Sequence, residues 1–262
     1  MVHLMRSRSA KKIYGFARQD LTWQSTEKKG MQLASVRASR EQGQFLGYIL
    51  FDRFAETGIH QHLGPAFSYF LEGGLSDFQG TAGIGEMGIN LAGATHSAIA
   101  YAPTLTASRL EAPVIYPSED SVKGETLHTG AMSGEIVNEA PEIMPDINIM
   151  LDELPWRGTL IAGVQRRMIF DYTQTDQSRR STQLRLLPGT KLPPFTTTAP
   201  TDIFVIGGDL NVSGEHQHGG GFFVIEDGAH VDMTTVYGCL CLVWSEGPIS
   251  WTDAALPDPF GF

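Results

Sequence analysis

Apolar residues in this chain come in short runs rather than in long helical stripes. Over 44–54, 66–72, 85–90 and 96–102 they form strand-length stretches punctuated by Gly, Pro and Asp. A second series follows over 162–172, 182–187, 202–207, 221–225 and 235–244. Such runs with turn residues between them predict strands, and their spacing predicts an all-β barrel or sandwich. Residues 1–20 show no clear period. The tract 117–145, rich in Ser, Gly, Glu and Pro, reads as a linker or surface excursion, with a short helix expected over 147–154.

The two series match each other. Phe70-Leu71-Glu72-Gly73-Gly74-Leu75 resembles Val205-Ile206-Gly207-Gly208-Asp209-Leu210 when Gly73 is set against Gly208. On that register the segment 93–96, ending in His96, falls beside 227–230, ending in His230, with one residue deleted in the second copy. Trp23 to Gln32 then faces Trp156 to Gln165. This points to an internal duplication of a β unit of roughly 100–130 residues.

Composition narrows the function classes. The 262 residues are enough for two domains, and 42% hydrophobic with 18% charged residues fits compact cores. A formal charge of −10 disfavours nucleic acid, so the basic cluster within 6–12 reads as a solvated arm. The two cysteines, Cys239 and Cys241, are too close in sequence for a good disulfide and lack partners for a thiolate metal site. They read as core thiols in a reducing compartment. No apolar run reaches the roughly 18 residues of a membrane span, and the basic start lacks the apolar core of a signal peptide. Cytoplasmic residence is the expectation.

The sharpest feature is His60-Gln61-His62. On a strand, residues i and i+2 share a face, so both imidazoles can reach one metal ion. A third ligand must come from elsewhere, and His96, after the turn-rich 90–95, is the candidate. His216-Gln217-His218 repeats the spelling but lies beside Gly214 and Gly219–221, and reads as an exposed hairpin turn. His128, in the linker tract, reads as a surface residue.

The order His60-x-His62, Gly64-Pro65, an apolar strand, Leu71-Glu72-Gly73-Gly74, then Gly85, Leu91, Gly93 and His96 resembles the two motifs of the cupin superfamily. Leucine replaces the usual proline at 91, and Gly58 is only two residues ahead of His60. No carboxylate occupies 63–69, where the family places its glutamate; Glu72 lies too far on. The pattern is similar to small three-histidine dioxygenases that cleave acetylacetone or 2,4′-dihydroxyacetophenone, and to the often doubled cupin domain of ChrR anti-sigma factors.

The resemblance implies an all-β bicupin of tandem double-stranded β-helix (jelly-roll) barrels. An N-terminal arm (1–24) would precede a metal-binding cupin barrel (25–116), a linker (117–154) and a second, degenerate cupin barrel (155–262). In that second barrel Phe195 and Thr197 fall at the places of His60 and His62, while His230 falls near the third ligand and Asp202 near the missing glutamate. It reads as structural. His60, His62 and His96 would hold a divalent metal, Fe(II) first, with Zn(II) or Ni(II) as alternatives. The implied reaction is dioxygenase-like cleavage of a small diketone, hydroxyketone or phenolic substrate with O2. The alternative is a ChrR-like zinc-binding sensory or ligand-binding cupin without catalysis. Phe67, Tyr69, Tyr48 and Tyr101 are the candidate substrate contacts, with Phe45, Phe51, Ile99 and Arg109 as further pocket residues. The expected partners are the small-molecule substrate, O2 and a second copy in a homodimer, with no nucleic acid and no membrane.

Overall fold

The computed structural model describes residues 11–39, 42–116, 125–126, 132–133, 146–171 and 180–251. His128 and the basic cluster before Lys11 lie outside the described residues. The chain divides into two compact units, residues 20–154 and residues 155–262 together with 1–19. Among the described residues the elements are strands, apart from two 3-10 turns at Arg18–Asp20 and Leu151–Glu153. No described helix is long and apolar enough to cross a membrane. Each unit is one double-stranded β-helix of an all-β tandem.

In the unit 20–154, a seven-stranded sheet has the order Asp146–Met150, Glu86–Asn90, Ala66–Glu72, Thr104–Leu110, Gln44–Phe51, Met31–Ser39, Trp23–Ser25. A smaller sheet runs Thr95–His96, His60–His62, Val114–Tyr116, Met132–Ser133, Glu125–Thr126, with a separate hairpin of Gly74–Asp77 and Gly80–Gly83. Side chains alternate along Gln44–Phe51, and Phe45, Ile49 and Phe51 cluster with Ala55, Ala100 and Leu75 of the hairpin. That face of the large sheet is therefore the barrel interior. Tyr48, opposite Ala107 and thence Tyr69, and Leu46, opposite Arg109 and thence Phe67, lie on the outer face.

The other unit repeats this order. Its large sheet runs Ile13–Phe16, Phe222–Ile225, Thr201–Val212, Cys239–Ser245, Arg180–Leu186, Val164–Asp171, Arg157–Gly158. Its small sheet runs His230–Val231, Phe195–Thr197, Ile249–Trp251. Matched strands begin at 31 and 164, 66 and 201, 104 and 239, and 114 and 249, an offset of about 135 residues. Cys239 and Cys241 are free and buried in this unit's core.

The structure revises three readings of the hydrophobic pattern. Ile13–Phe16, inside the stretch without a period, is a strand paired with Phe222–Ile225. The expected helix over 147–154 is instead the strand Asp146–Met150 followed by the 3-10 turn, because Ile147 and Ile149 alternate with Asn148 against Glu86–Asn90. These two strands hold equivalent edges: each repeat is preceded by a strand that completes the barrel of the other. Finally, regular pairing near 96–102 stops at His96, and the strand that follows is Thr104–Leu110, whose buried Thr, Ser and Arg hide it from a hydrophobicity pattern.

Candidate metal centre

The small sheet of the unit 20–154 brings the three sequence-predicted histidines together. Thr95–His96 pairs antiparallel with His60–His62, with His96 opposite His60 and Thr95 opposite Gln61. All three imidazoles therefore share one face, while Gln61 donates to Thr95 Oγ1 at 3.0 Å on the other. Gly93, at φ +92°, supplies the reversal that allows this: its N–H donates to His62 O at 2.8 Å, and the His62 N–H to Ala94 O at 2.8 Å. The corner after His62 is equally confined, since a Cβ on Gly64 would meet Ala112 Cβ at 2.6 Å. Leu75 packs into the barrel interior and Asp77, two residues on, touches His96, so the histidines face that same interior.

One ligand nitrogen from each of His60, His62 and His96 lies within 4.8 Å of the others. His62 Nε2 and His96 Nε2 are 3.2 Å apart. Two nitrogens about 2.1 Å from one ion, at tetrahedral or octahedral angles, stand roughly 3.0–3.4 Å apart, so the residues fit a shared divalent ion. Outer partners fix the rings. His60 Nδ1 contacts Gly58 O at 2.9 Å and His96 Nδ1 contacts Asp77 Oδ2 at 3.2 Å, so the Nδ1–H donates outward and Nε2 keeps its lone pair. Burial, then the charges of His96 and Lys28, pull the His60 pKa down to about 4. Burial and the charges of His60 and His96 hold His62 well below its ordinary value. The neutral form that a metal requires is thus favoured.

No carboxylate joins this cluster among the described residues. Glu72 is exposed at the end of its strand. Sequence reasoning missed three neighbours. Asp77 comes from the hairpin beyond the histidine strand. Tyr116 lies across the sheet from His60, ring centroids 5.3 Å apart, with its phenol pushed up to about 12 by burial and by Glu27. Lys28 places its ammonium 3.9 Å from the Tyr116 ring centroid. None has a motif; only the strand pairing brings them to the histidines.

The candidate substrate contacts are not gathered there. Tyr48, Phe67 and Tyr69 are buried on the outer face of the large sheet, Tyr48 against Trp23 at 6.2 Å between ring centroids. Arg109 shares that face, paired with Glu111. Tyr101 is 60% exposed and meets Phe54 edge-on. Phe45 and Phe51 do point into the barrel. Ile99 bridges Glu56 and Ser76.

In the second unit, Phe195 pairs with Val231 and Trp251, and Thr196 with His230. Val231, not His230, holds the place of His96; a one-residue offset turns His230 to the exposed side. Asp202 corresponds to Phe67 and lies outside the core face. The second His-x-His forms a strand, Glu215–His218, with the turn itself at Ser213-Gly214. His216 contacts Asp209, which also accepts from Thr235 and from the N–H groups of Val236 and Tyr237.

Residues 14–109 match the ChrR Cupin-like domain family. No curated protein matches the sequence. Among solved structures, a protein from Nostoc punctiforme provisionally assigned as a dioxygenase aligns with TM-score 0.70 at 8% identity, over 95% of this chain and 86% of that one. Oxalate decarboxylase from Bacillus subtilis aligns with TM-score 0.60 at 13% identity, over 95% and 81%. A pirin from Escherichia coli in complex with nickel(II) aligns with TM-score 0.58 at 13% identity, over 90% and 99%. With two barrels in tandem, the chain has the bicupin fold, and its first barrel is similar to ChrR Cupin-like domains.

Proposed function

We propose that this bicupin is an Fe(II)-dependent, dioxygenase-like enzyme acting on a small diketone, hydroxyketone or phenolic substrate. The observation that carries the reading is a buried cluster of three imidazoles with no carboxylate among its ligand atoms. A divalent ion held there would supply Lewis acidity and, as iron(II), the capacity to react with O2. Three neutral ligands leave its double positive charge uncompensated, unlike a His–carboxylate triad, which favours an anionic chelating substrate such as an enolate. Asp77 and Gly58 O hold His96 and His60 in the tautomer that presents Nε2. Lys28, over the Tyr116 ring, adds positive charge beside His60 and favours the same anionic substrate. The apolar Phe45, Ile49 and Phe51 limit water in the barrel.

Anaerobic reconstitution with Fe(II), then oxygen-uptake assays across β-diketones, α-hydroxyketones and phenols, tests the proposal. Uptake linked to substrate loss supports it; no uptake with any of them, from protein loaded with one iron per chain, contradicts it. The match to the ChrR Cupin-like domain favours a second reading, a zinc-binding ligand sensor without turnover. Native zinc together with absent oxygen uptake distinguishes that case.

A further inference from the structure

The two barrels fill their interiors differently, and the difference lies opposite the histidines. One row across the inner face of the large sheet in the metal-binding barrel runs Gly88, Ser68, Ser108, Gly47, in register on four adjacent strands. The matching row of the second barrel runs Phe223, Ile203, Val243, Thr182. Phe223, Ile203 and Val243 are wholly buried in that barrel's core. In the first barrel Ser68 and Gly88 keep partial exposure.

The row lies at the depth of the metal centre. Three residues carry the chain from His62 to Ala66 on the facing sheet, and Pro65 O accepts from the Glu111 N–H beside the same corner. Ser68 and Ser108 thus sit two residues in from that corner, level with the histidine strand. Sheets stacked about 10 Å apart leave a few ångströms between a small side chain and an ion on the opposite histidines, a gap that Ile, Val and Phe close. Phe70 walls one end, its Cε2 3.5 Å from where a Gly88 Cβ would stand.

The floor is also polar. Ser68 Oγ is 2.9 Å from Ser108 Oγ, which is 2.9 Å from Thr106 Oγ1. The second barrel has Ile203, Val243 and Cys241 at these places. Hydroxyls inside a barrel cost stability relative to apolar packing unless they are partnered. Thr106 Oγ1 donates to Ile49 O at 3.5 Å, so Ser108 donates to Thr106 and Ser68 to Ser108, which leaves the Ser68 oxygen to accept from the barrel interior.

We infer that this row is the substrate chamber, and that its ligand is a small organic molecule with a hydroxyl group at its metal-distal end, donating to Ser68. The inference rests on the metal centre proposed above and deepens it. The test is Ser68→Ile/Ser108→Val in the full chain, loaded with Co(II) and titrated with acetylacetonate, the visible cobalt bands reporting binding. The variant is expected to keep about one cobalt per chain and an unfolding midpoint no lower than that of the parent, while acetylacetonate binds at least about tenfold more weakly. Ser68→Ala/Ser108→Ala, which removes the hydroxyls and adds no volume, is expected to bind acetylacetonate, whose two oxygens both go to the metal, as the parent does, but to bind 1,2,4-trihydroxybenzene, which chelates through two oxygens and carries the third away from the metal, roughly two- to tenfold more weakly. A midpoint lowered by several degrees in the filled variant, with cobalt retained, would mean that the row is already packed and overturns the inference. So would equal affinity in all three proteins. If the parent binds cobalt but its bands ignore acetylacetonate, the diketone reading fails, and the unfolding midpoints still decide the chamber.

Discussion

The small sheets of the two barrels, with the hairpin strand beside each, share one topology and part company at five inward positions, while Val114 and its counterpart Ile249 stay apolar in both. Where the first has His60, His62, His96, Asp77 and Tyr116, the second has Phe195, Thr197, Val231, Val212 and Trp251. All five of the second set are buried, and Phe195 meets Trp251 edge-on at 5.3 Å between ring centroids, where the first has His60 and Tyr116 tilted against each other at the same 5.3 Å. The fold therefore does not need its histidines. One copy spends its interior on a closed apolar core and the other keeps it for polar, metal-ligating side chains, at some cost in stability.

The largest expected effect comes from importing the site into the closed barrel. Phe195→His/Thr197→His/Val231→His should lower unfolding free energy by about 4 kcal/mol or more in denaturant titrations, because it opens a packed core and buries imidazoles. It should add no tightly held second ion, since Val212 stands where Asp77 would orient the third ring. A stable variant with two ions per chain would show the closed core to be no barrier.

Next is the pH response of the metal-free protein. Below about pH 6.5 the unfolded chain binds a proton at His60 that the folded chain refuses until about pH 4. Stability is complete above that upper value and falls as the pH drops towards 4, by roughly 3 kcal/mol for His60 alone. His62 adds to it in the same direction. His60→Phe should flatten the curve, measured as unfolding midpoint against pH; an unchanged slope would contradict the assigned burial.

Asp77→Asn should weaken metal binding about 10- to 100-fold in competition with a chelator, the usual cost of losing a histidine's outer partner. Lys28→Met should be the mildest, weakening acetylacetonate binding to the Co(II) protein only a few-fold, because Lys28 is partly in solvent. Loss of metal in that variant would show a structural role instead.

The comparison also explains what the sequence could reveal. Strand-length runs, the duplication around Gly73 and Gly208, and His60-Gln61-His62 are local patterns, and they sufficed for the tandem barrels and the three histidines. His230 was misread because the one-residue deletion expected in the second copy is absent: the offset of 135 residues holds from His96 to Val231, and a shift of one residue reverses which face a side chain takes. Tyr48, Phe67 and Tyr69 sit on apolar strands buried on both faces, where alternation does not mark the inner side. Asp77, Lys28, Tyr116 and the Ser68–Ser108 floor depend on pairings between distant strands, and no local spacing announces them.

Metal content measured by plasma mass spectrometry on protein purified without added metal, beside His60→Ala, tests the central claim most directly. About one divalent transition-metal ion per chain in the parent and none in the folded variant is the predicted result. Equal occupancy in the two proteins would contradict the assignment of the centre to His60, His62 and His96.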